Sequence, residues 1–68
     1  MQFTIIIEIG DNGFGAYVPD LPGCVAVGET KEEVKALIRE AVEFHLEGMR
    51  EEGATIPLPV STSELIDV

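Results

Sequence analysis

Sixty-eight residues make a single domain, residues 1–68, with no room for two independent cores. One cysteine excludes an intrachain disulfide, and one cysteine with one histidine cannot supply the four ligands of a zinc site, so no metal or cofactor is expected. Thirteen acidic against four basic residues give a net charge of −9, which argues against direct nucleic-acid binding, because such binding rests on Lys and Arg neutralising phosphates.

In chain order, Gln2–Ile9 reads as a strand rich in Ile, Thr and Phe. Phe3, Ile5, Ile7 and Ile9 fall on one face by period two, built for a core; Gln2, Thr4, Ile6 and Glu8 fall on the other. Gly10-Asp11-Asn12-Gly13 carries the Asn-Gly hairpin signal. Phe14–Val18 returns as a second strand with Phe14, Ala16 and Val18 on one side, and Cys24–Gly28 is a short third strand. Between them, Leu21-Pro22-Gly23-Cys24 fits a type II turn: Pro22 fixes φ at the second position and Gly23 supplies a positive φ at the third. Pro19 has no N–H and marks the end of a strand.

Thr30 with Glu33 three residues later spells a capping box, and Lys31–Glu52 has no proline, so one long helix is predicted, with Gly53 beyond its end. Val34, Leu37, Ile38, Ala41, Val42, His45 and Met49 share a broad face by i, i+3, i+4 spacing and are expected to cover the sheet. Phe44 and Leu46 widen that apolar surface. A domain this small is marginal alone, so Phe44, His45, Leu46 and Met49 are the candidate self-association residues of a homo-oligomer, dimer or tetramer. Ala54–Pro59 cannot be helical with Pro57 and Pro59 in it, and Glu64–Val68 is expected to form a last strand. The order β-β-β-α-β gives an α+β domain: three antiparallel strands, one long helix on one face, and a final strand.

The succession Tyr17-Val18-Pro19-Asp20-Leu21-Pro22-Gly23-Cys24, then Val27-Gly28-Glu29-Thr30, the helix, and Ile56-Pro57-Leu58-Pro59 resembles the HicB-like antitoxin family. The resemblance runs from about Phe14 to Pro59. It implies a curtailed RNase H-like fold and a partner, a small basic HicA-like mRNA-cleaving toxin that this chain neutralises by capping. The acidic balance suits steering toward such a partner, though it also serves solubility alone. Asp20, Leu21, Pro22 and Gly23, in a rigid turn, are the candidate partner-binding residues, since a rigid turn loses little entropy on binding. Many members continue into a DNA-binding domain; this sequence carries no basic segment of that kind, so DNA-linked autoregulation is not expected of it.

Other chemistry finds little support. Glu8, the helical Glu40, Glu43 or Glu47, and Asp67 resemble a nuclease carboxylate set only if they converge, and Glu8 is expected to point away from the helix, so no catalytic residues are assigned. His45 lacks a nucleophile and an orienting partner at readable spacing. Cys24 reads as a small buried residue rather than a reactive thiol. The glycines at 10, 13 and 15 precede no helix and no Lys-Ser/Thr, so they form no phosphate loop. A self-associating protein without a toxin is the alternative. With neither a secretory leader nor an apolar run long enough to span a bilayer, a cytoplasmic, membrane-free protein is expected.

Overall fold

A computed structural model describes residues 1–68. Three strands, β1 (Ile6–Gly10), β2 (Gly13–Tyr17) and β3 (Val25–Gly28), form an antiparallel sheet in the order β1-β2-β3, and one helix, α1 (Lys31–Glu51), lies across one face. The α+β layout with three antiparallel strands and a long helix is as expected. The expected last strand is not formed: Glu64–Val68 carries no regular secondary structure, and Leu65, Ile66 and Val68 are exposed.

β1 is shorter than its apolar pattern predicts, and proline is the reason. Ile6 pairs with Tyr17 at the end of the ladder. Two residues beyond Tyr17 stands Pro19, which cannot donate a ladder hydrogen bond. Phe3 and Ile5 still pack against the core, as their spacing predicts. Ile9 does not: it is 83% exposed. The start of α1 lies over the end of β3, where a Cβ on Gly28 would meet the Val34 amide nitrogen at 3.0 Å. Further along, Ile38, Val42 and Leu46 line a groove with Met1, Phe3 and Ile5. The helix thus crosses the sheet diagonally and leaves the Ile9 corner bare.

The hairpin differs in detail from the Asn-Gly signal. Gly10 pairs with Gly13, so the two-residue loop is Asp11-Asn12, and neither residue has a positive φ. Gly13 is the first residue of β2. Its place is sterically reserved, because a Cβ there would sit 2.5 Å from the Gly28 carbonyl oxygen.

Both ends of α1 follow their sequence signals. The Thr30 hydroxyl accepts from the Glu33 N–H at 3.0 Å. The Glu33 carboxylate reaches back, one residue further than a standard box, to the Glu29 N–H at 3.4 Å. At the other end Gly53 has φ +72°, its N–H donates to the Arg50 carbonyl, and the Ala54 N–H donates to the Met49 carbonyl at 2.9 Å. Those two bonds constitute a Schellman motif, which satisfies carbonyls the helix leaves open.

The core consists of Ala16, Val18, Leu21, Cys24, Val34 and Ile38, with Phe3, Ile5, Ile7 and Phe14 partly buried around it. Only 6 of 68 residues are buried, so the chain by itself covers little of its apolar surface.

Candidate partner-binding surface

The loop from Val18 to Cys24 is closed by its own backbone. The Leu21 N–H donates to the Val18 carbonyl at 3.1 Å, the Cys24 N–H to the Leu21 carbonyl at 3.1 Å, and the Val18 N–H to the Cys24 carbonyl at 3.3 Å. Gly23 sits at φ +85°, as the third position of a type II turn requires. The type II reading of Leu21-Pro22-Gly23-Cys24 therefore matches both the hydrogen bond and the dihedral angle.

The four candidate contact residues do not share one surface. Leu21 is 1% exposed and is one of the largest fully buried side chains, so it anchors the turn to the core. Pro22 and Gly23 are exposed at the tip. Asp20 is engaged within the chain. One carboxylate oxygen accepts from the Val60 N–H at 3.1 Å and the Ser61 N–H at 3.0 Å; the other accepts from the Ser61 hydroxyl at 2.8 Å. Hydrogen bonding from the Ser61 backbone, then from its hydroxyl, holds the Asp20 carboxyl below its ordinary 3.8, against a smaller opposing effect of burial. In the segment ahead of β1 the Thr4 hydroxyl donates to the Ser61 carbonyl at 2.7 Å. Asp20 and Thr4 together clasp the segment that returns from the helix.

The candidate self-association residues divide as well. Phe44 is 79% exposed, while His45, Leu46 and Met49 are half-buried and Leu46 packs against the core. At about 100° per residue Phe44 and Leu46 lie on opposite flanks of α1.

Two features escape a reading of motifs. Glu33, Glu40 and Glu47, spaced by seven residues, are all exposed and form an acidic ridge along α1 beside Phe44. The seven-residue spacing was the available signal. On the sheet, Val25 and Val27 both face outward, a period-two pair inside a run too short to assign a face to. Cys24 is buried, and burial pushes its thiol above the ordinary 9.0, so it is not a nucleophile at neutral pH. Glu8, the helical glutamates and Asp67 do not converge: no three acidic, His or Cys side chains are grouped to hold a metal ion. No helix is long and apolar enough to cross a membrane.

Comparison with known proteins places this geometry among relatives. Residues 3–68 match the family model described as the HicB-like antitoxin of bacterial toxin–antitoxin systems. The chain is 40% identical over 57 residues to a 14.9 kDa protein from the rep–hol intergenic region of Haemophilus phage HP1, covering 84% of this chain but 43% of the phage protein. It is 36% identical over 58 residues to a UPF0150 protein of Thermoplasma acidophilum, covering 84% of each. Among solved structures it is similar to a chain of a HicA3 and HicB3 toxin–antitoxin complex, with a TM-score of 0.74 and 32% identity over 88% of this chain and 70% of that one.

Proposed function

Since the chain belongs to the HicB-like antitoxins of bacterial toxin–antitoxin systems, we propose that it binds a small basic HicA-like mRNA-cleaving toxin and neutralises it by covering the toxin's RNA-binding surface. The observation that carries this reading is the likeness to a chain of a HicA3 and HicB3 complex over most of the fold. The net charge of −9 supports it, because opposite charge raises encounter rates with a basic partner. The exposed tip Pro22-Gly23 and the acidic ridge of α1 with Phe44 are the surfaces available for the contact. On this reading the curtailed RNase H-like layout is a binding scaffold in the cytoplasm, and the chain is not an enzyme.

The test is reconstitution. A HicA-like toxin encoded beside this chain is expected to cleave mRNA alone and to stop when the purified chain is added at stoichiometric amounts. Failure to form a complex at micromolar concentration removes the antitoxin reading and leaves a self-associating protein without a toxin. Mg²⁺- or Mn²⁺-dependent cleavage of RNA, DNA or hybrid substrates by the chain itself would instead make it a nuclease.

A further inference from the structure

Asn12 is the one asparagine of the chain, and it stands directly before Gly13. The pair occupies the tip of the hairpin, where Asp11 and Asn12 join Gly10 to Gly13. Asn12 is exposed. None of the side-chain hydrogen bonds within the chain uses its carboxamide. Both loop residues have negative φ, whereas the turn that best follows the twist of two antiparallel strands needs positive φ at both. Gly10 and Gly13 form the last pair of the ladder, where the backbone opens at least cost.

Gly13 leaves its own peptide nitrogen unshielded, because it has no side chain. The fold also keeps this residue a glycine. A Cβ at Gly13 would sit 2.5 Å from the Gly28 carbonyl oxygen and 3.5 Å from the Glu29 Cα. A thermolabile carboxamide is therefore held beside the residue type that best exposes the neighbouring nitrogen to it. Asn12 and Gly13 line a cleft that Glu29 and Glu33 share, with no lysine or arginine in its wall.

We propose that Asn12-Gly13 is a site of enzyme-free modification, at which the chain converts its own Asn12 to aspartate and isoaspartate. The Gly13 nitrogen attacks the Asn12 Cγ and gives up its proton. The Cγ–Nδ2 bond breaks, the amide leaves as ammonia, and a five-membered imide closes. Water then opens the imide. Attack at Cγ restores the original main chain with an aspartate. Attack at the backbone carbonyl carbon routes the main chain through Cβ and Cγ and leaves the α-carboxylate as the side group. Either product carries one more negative charge than the −9 of the intact chain, and with no cation in the cleft the new carboxylate gains no ion pair. The products differ in what they do to the fold. Aspartate suits a turn position. Isoaspartate lengthens the main chain of a two-residue loop by one methylene, so Gly10 no longer faces Gly13 in the same register. The hairpin tip loosens with the age of the chain, and neither an enzyme nor a toxin is needed for it.

The purified 68-residue chain is incubated at neutral pH and physiological temperature beside a peptide of its residues 9–15, and residue 12 is followed by peptide mapping and anion exchange. The folded chain is expected to form aspartate and isoaspartate at residue 12 at a rate within about tenfold of the peptide's, because the tip opens at little cost. Asn12→Gln, at an exposed loop position, is expected to keep the fold and to hold residue 12 unmodified over the same period, since its cyclisation needs a six-membered ring. The isolated isoaspartate form is expected to melt below the aspartate form, while Asn12→Asp melts with the unmodified chain. A rate below that range, conversion undiminished in Asn12→Gln, or an isoaspartate form that melts with the aspartate form overturns the proposal.

Discussion

Asp20 and Leu21 are neighbours in sequence with opposite duties. Leu21 fills the core, so Leu21→Ala is expected to lower stability by about 2–5 kcal/mol in denaturant unfolding. Pro22→Ala, at the exposed tip, is expected to cost about 0.4–1 kcal/mol, through the extra freedom of the unfolded chain. Similar losses at the two positions would contradict the burial described for Leu21. Asp20 acts through three accepted hydrogen bonds. An asparagine cannot accept at both ends, so Asp20→Asn is expected to speed hydrogen exchange at the Val60 and Ser61 amides; unchanged exchange would show that the clasp is dispensable. Because hydrogen bonding lowers the folded-state pKa of Asp20, its contribution is fully present above the ordinary 3.8 and is lost as pH falls through the lowered value. Protection of the same two amides is expected to fade in that acid range and to be constant at neutral pH.

The elements were legible where a local signal decides them. The Thr30 and Glu33 cap, the Gly53 terminus and the type II turn each depend on one or two residues whose chemistry permits few alternatives. Thr30→Ala is accordingly expected to destabilise α1 by about 1 kcal/mol, with Thr30→Ser largely restoring it, as read from the thermal midpoint. What periodicity could not supply was the crossing direction of the helix. Ile9 keeps the period of Ile5 and Ile7 yet lies at the corner that α1 does not reach. The burial of Leu21 is hidden from the sequence for a related reason. A turn flanked by prolines looks exposed in sequence, and only the backbone closure between Val18 and Cys24 turns its one large apolar side chain inward. The Glu64–Val68 pattern is strand-like locally, but pairing is a long-range property that no residue spacing encodes.

At the scale of the molecule, carboxylates are concentrated on the helix and loops, and Glu8 is the one charged residue of the strands. Binding of a basic toxin, as proposed above, is expected to weaken as salt rises, since the Debye length falls to about 10 Å at 0.1 M. Titration calorimetry across a salt series checks this, and a salt-independent affinity would remove the role of charge. The clasp at Asp20 carries a last consequence, for assembly in time. It joins positions 41 residues apart, and the hairpin, the third strand and the whole helix lie close to or inside that loop. Contacts so distant along the chain must wait for the nearer ones to shorten the gap between their ends. A nascent chain therefore builds its layered body first and fastens its returning arm afterwards, so the arm is the part a protease meets before folding is complete.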